Sequence, residues 1–509
     1  MVFSTIIFLC VFLPLTIAGY YILPNKLKNL FLLLCSLFFY AWGEPKFVWL
    51  MVFSVGCNYL FGMWIHKLEF GDKKLSKEQV QKRKKVVVVL GVGLNLSLLF
   101  VFKYFTFVME SIRELTKGQF DVLQIALPIG ISFYTFQGLS YIIDVYREEG
   151  AVLSNGERRS IVQKNPLHLA LYISMFPQLI AGPIVRYEDI RGDLAARRVT
   201  SAQFASGVER FIIGLGKKAI LANMTGKLAV SIFSSDIQLM SMPVAWIGAL
   251  AYTLQIYFDF SGYSDMAIGL GAVFGFHFNE NFEYPYISKS VREFWRRWHI
   301  SLSGWFRDYL YIPLGGNRKG NVYLNLLLVF LATGIWHGAA WGFLIWGLWH
   351  GLFLVLERVF ANKLKRANKK LQIPAVIGWM YTMCVVVTGW VLFNLVELKP
   401  SLHYLAVMFG VKQNAFCAYD VRYYLTNQNL FFFILACICC LPWVPWIKNG
   451  KCYENFMKQN GEERKENDSV NGIALVLLCA KRVLLLLIFL FSFLFIINSS
   501  YNPFIYFRF

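Results

Sequence analysis

Apolar blocks long enough to cross a bilayer, separated by short basic loops, run through most of the chain. Blocks 2–23, 47–65, 86–108 and 472–497 approach or reach the roughly 20 residues that a membrane helix needs. Only 16% of the residues are charged and 57% are hydrophobic, whereas about a quarter of a soluble domain is charged. The pattern predicts an all-α polytopic membrane protein, a single integral-membrane domain over 1–509, with roughly eleven or twelve membrane segments.

The charge balance predicts the orientation of these segments. The chain has 50 Lys+Arg against 30 Asp+Glu, a net charge of +20. In a membrane protein this excess indicates cytoplasmic loops that follow the positive-inside rule, rather than nucleic-acid binding. The basic clusters 73–85, 363–370 and 448–465 are therefore expected in the cytoplasm, with both termini outside. The block 2–23 has no basic n-region and no small-x-small cleavage site, so it is expected to be a membrane span and not a removed signal peptide.

Three stretches do not have the pattern of a simple crossing. The apolar segment 166–185 is interrupted by Pro177 and Pro183, which predicts a re-entrant or broken helix buried in protein. The segment 204–224 is amphipathic and is expected to lie in the membrane interface. The segment 279–319 is too polar and too aromatic to span. It predicts short helices lying flat, with tryptophan and tyrosine at the headgroup level.

The apolar block 322–360 contains the main candidate for catalysis. It is long enough for two short crossings, or for one crossing and a tilted half-helix. Within it, His337 lies in ATGIWHGAAWG, among small residues. An ionisable group in so apolar a run is costly, which makes His337 a candidate functional residue. A neutral imidazole can accept a proton, as a general base must. The alternative interpretation is a packed core histidine bonded to a carbonyl.

A second histidine, His299, lies in WRRWHISLSGWFRDY. We expect it either to assist catalysis or to be an interfacial histidine on an amphipathic helix. Nearby cations could hold the phosphates of an acyl donor, anchor the segment at the membrane surface, or pair with Glu293 and Asp308. These donor-binding candidates are Arg296, Arg297, Arg307, Arg318 and Lys319. The last two belong to the sequence GGNRKG, which predicts either a phosphate cradle or a plain tight turn.

Two aspartates and a tryptophan complete the candidate set. Asp259 and Asp265, in FDFSGYSD, are expected at membrane depth or at its edge. They could orient a histidine or a substrate hydroxyl, or pair with an arginine. Trp336 directly precedes the candidate base and is interpreted as a supporting polar group. No cluster has metal-ligand spacing, and Cys437 and Cys440 form an isolated C-x-x-C, so no metal is expected.

The longest motifs carry a family resemblance. The run EFWRRWHISLSGWFRDYLYIPLGGNRKG at 293–320 precedes an apolar span that ends in GIWHG, and FPQLIAGPIVRYEDI at 176–190 and YFDFSGYSDMAIGLG at 257–271 come before it. Together they resemble the membrane-bound O-acyltransferase family, and within it the bacterial branch of alginate O-acetylation. The resemblance implies that residues 1–396 form a core of the membrane-bound O-acyltransferase type. Beyond 397 only the hydropathy matches, so 397–509 is interpreted as additional C-terminal membrane helices.

The resemblance implies a helical bundle around a central tunnel or funnel, with His337 essential and a second site at His299. It implies that an acyl group, acetyl in this branch, passes from a cytoplasmic thioester to hydroxyls of an extracytoplasmic or cell-surface polysaccharide. The expected location is the bacterial cytoplasmic (inner) membrane. Acetyl-CoA is the expected co-substrate, and an acyl carrier protein is the second choice. The expected partners are membrane lipid and an extracytoplasmic acetyltransferase that completes the transfer, without nucleic acid.

A membrane transporter or lipid flippase is the competing class. Broken helices and intramembrane histidines also occur in such proteins. A single histidine-centred pocket, in a sequence without paired inverted repeats, favours the acyltransferase.

Overall fold

The computed structural model describes residues 1–71, 75–151, 158–368, 373–412, 414, 416–443, 446, 472–498 and 504–505, and in this part the named elements are all helices. The α-helices, numbered α1–α21 in chain order, are Leu13–Ile22, Asn25–Gly43, Val48–Phe70, Lys77–Leu99, Phe105–Thr116, Ile131–Glu148, Pro166–Ser174, Phe176–Leu179, Tyr187–Ala195, Ser201–Gly216, Asn223–Phe233, Met242–Val273, Val291–Arg297, Ile300–Phe306, Val322–His337, Trp341–Arg366, Ala375–Leu395, Leu398–Met408, Val421–Tyr424, Asn427–Cys439 and Gly472–Asn498. In the same residues, π-helical turns at Phe8–Phe12, Phe100–Tyr104, Lys217–Ala222 and Arg307–Tyr311 extend or join them.

Several of these helices are long and apolar enough to cross a membrane. Among the described residues they are Val48–Phe70, Lys77–Thr116, Trp341–Arg366, Ala375–Leu395 and Cys479–Asn498. Shorter apolar helices occupy Phe8–Ile22, Val322–His337 and Asn427–Cys439. The all-α polytopic class is therefore confirmed, while the larger count of eleven or twelve segments stays a prediction. The predicted cytoplasmic loop 448–465, and parts of the other two basic clusters, lie outside the described residues.

Helix α12 is the buried centre of the bundle. It is continuous for 32 residues, so FDFSGYSD does not interrupt it. Helix α10 packs along it at two glycine pairs: a Cβ on Gly214 would lie 2.6 Å from the Gly262 carbonyl oxygen, and one on Gly269 would lie 2.5 Å from that of Gly207. Small residues let helix backbones approach this closely in membrane proteins. The apolar face of 204–224 packs on α12, and its expected position in the membrane interface stays a prediction.

The broken helix predicted at 166–185 is confirmed. Helix α7 ends at Ser174, and Met175 has an extended ψ of 116° before the short helix α8 begins. Leu171, Ile173 and Leu179 are fully buried. The interruption lies within the protein, where neighbouring side chains and backbone can satisfy the exposed peptide groups.

The short helices predicted within 279–319 are present as α13 and α14. Their expected depth at the headgroup level stays a prediction, but the tryptophan side chains are covered by protein. Trp295, Trp298 and Trp305 are 7%, 3% and 7% exposed, packed inside the protein. Charged and aromatic residues are interleaved in 279–319, a pattern that suggests the membrane surface. In the fold the charged side chains face outward, while the aromatic face of the same segment covers the histidines.

The block 322–360 forms two helices: α16 is long and apolar enough to span a membrane, and α15 is a shorter apolar helix. Whether they are two crossings, or one crossing and a tilted half-helix, stays a prediction. Helix α15 ends at His337, and Gly338 continues in extended conformation with φ −172° and ψ 160°. Gly334 and Gly347 face the backbone of the opposite helix so closely that neither has room for a Cβ. The resulting tight corner places His337 at the end of a helix and inside the bundle.

Candidate active site

His337 is enclosed by aromatic side chains. It is 7% exposed, and its ring centroid lies 5.0 Å from that of Trp346 and 5.1 Å from that of Phe393, both edge to face. The adjacent Trp336 ring is 5.0 Å away. These three rings come from α15, α16 and α17, so the position of the imidazole is set by the packing of three helices.

Two cavities meet at His337. The first, about 110 Å³, is lined by Lys103, the 127–133 segment, Ile180 and Trp336. The second, about 20 Å³, is lined by residues of α12, α17 and the C-terminal segment, together with Trp298. His337 is the residue that both lining sets share. An imidazole at this junction can contact groups that arrive from either cavity.

His299 is held through its ring. It precedes α14 with a left-handed backbone, φ 47° and ψ 53°, a conformation that is uncommon outside glycine and clusters at functional sites. Its Nδ1 lies 3.1 Å from Asn281 Oδ1. The same oxygen accepts the Ser301 N–H and hydroxyl, while Asn281 Nδ2 donates to Ser264. Oδ1 is thus an acceptor, so Nδ1 of His299 carries the proton and Nε2 has the lone pair.

The two histidines share one neighbour. The His299 ring lies 6.0 Å from the Trp336 ring, which in turn contacts His337. Burial lowers the pKa of His299 to about 3, so this imidazole is neutral at pH 7. The structure therefore brings His337, His299 and Trp336 of the candidate set together in one aromatic enclosure.

The candidate aspartates are paired with cations. Asp259 forms an ion pair with Lys218 at 2.5 Å, both side chains 2% exposed, and its Oδ2 accepts the Ile505 N–H. Asp259 lines the second cavity. Asp265 pairs instead with Arg210 and Lys217. Pairing with a cation is thus the interpretation that fits both, and only Asp259 lies beside His337.

The candidate donor-binding cations differ in their surroundings. Arg297 bonds Glu293 and the Glu283 carbonyl, and Arg307 pairs with Asp308. Arg296 is exposed on α13.

Arg318 and Lys319 are also exposed, in a tight turn whose glycines have positive φ. Both donate their backbone N–H groups to the Gly315 carbonyl, so these two amides are already bonded within the turn. The turn immediately precedes α15, whose sixteen residues separate it from His337 by about 24 Å.

Comparison with known proteins identifies the family. The family model described as the membrane-bound O-acyltransferase family matches residues 34–396. This chain belongs to that family. It is 38% identical over its full length to a probable alginate O-acetylase of Azotobacter vinelandii, also matched in full. It is 35% identical to a peptidoglycan O-acetyltransferase of Helicobacter pylori, over 82% of this chain and 81% of that protein. A teichoic acid D-alanyltransferase of Bacillus subtilis is 29% identical over 51% of this chain and 65% of that protein.

The protein is therefore an O-acyltransferase, and the transporter or flippase interpretation has no support from these relatives. Within this acyltransferase, sequence reasoning missed several residues at the site. Lys103 lines the first cavity, Asn281 holds His299, and Phe504 and Ile505 line the second cavity. A lone lysine within the apolar block 86–108 was a visible signal, because intramembrane charges are rarely without function. Asn281 is a polar residue 18 positions before His299, and Phe504 and Ile505 lie far beyond the motifs; none of the three has such a signal.

The described part of the chain contains no group of three or more His, Cys, Asp and Glu side chains that could hold a metal ion. Cys437 and Cys440, the C-x-x-C pair of the sequence, are free thiols, and Cys437 is exposed.

Proposed function

We propose that this acyltransferase passes acetyl groups from a cytoplasmic acyl thioester toward hydroxyls of an extracytoplasmic polysaccharide, as in alginate O-acetylation. The relatives with full-length or near full-length matches are named for O-acetyl transfer to alginate or peptidoglycan. The relative named for D-alanyl transfer is less similar and matches a shorter part. Acetyl is therefore the better supported acyl group.

The junction of the two cavities at His337 carries the proposal. An acyl group and an acceptor hydroxyl must meet at one point, and here two separate cavities share a single imidazole. His337 would take the proton of the acceptor hydroxyl as its oxygen attacks the thioester carbonyl. Collapse of the tetrahedral intermediate forms the ester and breaks the C–S bond, and the departing thiolate recovers the proton from the imidazolium.

His299 takes a supporting role in this proposal. Its bond to Asn281 fixes the tautomer and leaves Nε2 as an acceptor in the same enclosure. Trp336 contacts both imidazole rings, and Asp259 adds a charge that Lys218 neutralises beside the second cavity. We assign His337 and His299 as the catalytic pair, with Trp336 and Asp259 as supporting residues. Asp265 is left with a structural ion pair.

Coenzyme A is the proposed carrier, and an acyl carrier protein is the alternative. Both present phosphate to the protein, and cations bind it through charge-assisted hydrogen bonds. The exposed Arg296, Arg318 and Lys319 are the better donor-binding candidates, since Arg297 and Arg307 already bond carboxylates. The distance of about 24 Å along α15 requires a long, extended acyl carrier if the phosphates sit at the 315–320 turn.

We place the enzyme in the bacterial cytoplasmic membrane, with the basic clusters inside and both termini outside. In this proposal residues 1–396 form the catalytic core and 397–509 add membrane helices. The polysaccharide is too large to enter cavities of about 110 and 20 Å³. The hydroxyl that His337 deprotonates is therefore that of a first, smaller acceptor, and a separate extracytoplasmic acetyltransferase takes the acetyl group from it and completes transfer to the polysaccharide.

The test is His337→Ala in cells that make the acetylated polymer. Loss of general-base assistance typically costs about 10²- to 10⁴-fold in rate, so the O-acetyl content of the polymer should fall to background. Membrane levels of the variant, measured by immunoblot, serve as the control. Undiminished acetylation in a well-expressed variant would remove His337 from the mechanism.

A further inference from the structure

Lys103 is a cation inside an apolar helical stretch. It lies in the π-helical turn Phe100–Tyr104, within the apolar helix Lys77–Thr116. Among the described residues it forms no ion pair with a carboxylate. A charge in such a position is costly and calls for a specific use. π-Helical turns inside α-helices also occur frequently at functional sites.

The Lys103 ammonium group bonds the end of the helix that carries His337. Its Nζ donates to the Trp336 carbonyl at 2.6 Å and to the His337 carbonyl at 3.3 Å. The next residue, Tyr104, donates its hydroxyl to the Ile335 carbonyl at 2.8 Å. Two consecutive side chains of one π-helical turn thus bind three consecutive carbonyls.

Those three carbonyls belong to the last turn of α15. The final carbonyls of a helix have no intrahelical partner, and here the chain leaves in extended conformation at Gly338. A cation at a helix C-terminus also interacts favourably with the helix dipole. The contacts therefore fix the terminal peptide groups of α15 and, through them, the direction of the His337 side chain.

We propose that Lys103, aided by Tyr104, is a positioning residue that fixes His337 at the junction of the two cavities. This inference rests on the proposed role of His337 as general base. Lys103 reaches the catalytic group through the backbone carbonyls of Trp336 and His337, so it orients the imidazole without itself occupying a ring nitrogen.

The geometry also excludes a direct role in substrate binding while these bonds are made. An ammonium group has three N–H donors, and Lys103 directs its third to Ser132 Oγ at 3.0 Å. All three donors are thus directed at protein acceptors. Lys103 lines the cavity, but it has no donor left for an acyl carbonyl.

The experiment compares Lys103→Met, Lys103→Arg and Tyr104→Phe in membrane vesicles supplied with labelled acetyl-CoA. Misplacing a catalytic group by about 1 Å can cost on the order of 10²-fold, so Lys103→Met should lower kcat about tenfold to hundredfold with donor KM unchanged. Lys103→Arg, which keeps a cation and can bond two carbonyls, should recover part of kcat. Tyr104→Phe loses one neutral hydrogen bond and should lower kcat about two- to tenfold.

Lys84→Met is the matched control. Lys84 is another buried lysine of the same long helix, but it bonds Glu69 and the Glu149 carbonyl. Its loss should lower the thermal midpoint and leave kcat per folded enzyme unchanged. If Lys103→Met does not accumulate, Ser132→Ala tests the same point, because it removes one bond to Lys103 and keeps the charge. It should lower kcat several-fold at an unchanged thermal midpoint.

The outcomes separate the inference from the function on which it rests. Suppose that His337→Ala is inactive. A normal kcat in a folded Lys103→Met enzyme, or in Ser132→Ala where that is the variant measured, then contradicts the positioning role and leaves the general base in place. An active His337→Ala enzyme contradicts the proposed function itself. A raised donor KM with unchanged kcat in Lys103→Met also contradicts the inference, since it makes Lys103 a donor-binding residue.

Discussion

His299 and His337 both contact the ring of Trp336, yet the chain holds them differently. His299 is fixed by its ring, through Nδ1 to Asn281, at the junction of the two seven-residue helices α13 and α14. His337 is fixed by its backbone, because Lys103 binds its carbonyl, and its ring is packed among aromatic side chains. Both imidazoles are buried, so the difference lies in the contacts and not in the degree of burial.

These two kinds of contact suit the two histidines to different catalytic tasks. A ring nitrogen bonded to an amide has a defined tautomer and a limited range of orientations. A ring oriented through its backbone can lie between two cavities and meet the substrates that enter them. This comparison favours His337 for the proton transfer and His299 for support, although the two share one aromatic enclosure.

Among the tests of this comparison, loss of the hydrogen bond that holds the His299 ring should lower activity most. Asn281→Ala removes the acceptor that fixes Nδ1. Loss of the partner that orients a functional histidine costs about 10- to 100-fold at metal sites, and we expect an activity loss of similar size here. His299→Ala should show a similar loss. If Asn281 acts only through His299, the double variant should be no slower than either single variant, which steady-state rates of the three enzymes would reveal.

Asn95→Ala provides the matched control. Asn95 is also a buried asparagine in an amide pair, with Asn58, but the pair joins helices α3 and α4 and has no hydrogen bond to a histidine among the described residues. It should lower the thermal midpoint without a change in kcat. Additive losses in the Asn281 and His299 double variant would mean that Asn281 has a separate role.

Sequence reasoning located the two histidines but not the contacts that hold them. Their motifs are long and local, and His337 lies in an apolar run where any ionisable group is conspicuous. Asn281 looks like an ordinary loop residue, and its importance comes from folding 279–319 back against α12. The same folding buries Trp295 and Trp298, which the mixed sequence placed at the membrane surface.

Composition predicted the helical class. Pro177 predicted the broken helix at 166–185, because a proline within an apolar run interrupts the helix and the interruption must be buried in protein. The packing of α10 on α12 did not follow in the same way. It depends on glycines that are far apart in the sequence, Gly207 with Gly269 and Gly214 with Gly262. The spacing of glycines in one sequence does not reveal which of them face each other.

The smallest effect concerns two adjacent arginines of α13. Arg296 is exposed, whereas Arg297 bonds Glu293 and the Glu283 carbonyl. Arg296→Gln should raise donor KM about two- to fivefold with less change in kcat, the pattern of lost uniform binding. Arg297→Gln should instead cost up to about 1 kcal/mol of stability. Donor titrations and thermal melts of the two variants distinguish these effects. Unchanged donor KM in Arg296→Gln would move the phosphate site elsewhere.

A structure of the enzyme with a non-hydrolysable acetyl thioester analogue would show whether acyl transfer takes place at His337. We predict the acyl carbonyl carbon at the junction of the two cavities, with room for an acceptor oxygen within about 3 Å of the His337 imidazole. His299 should keep its bond to Asn281 in that complex. An acyl group bound away from His337, with both cavities empty, would contradict the role of this histidine as the general base.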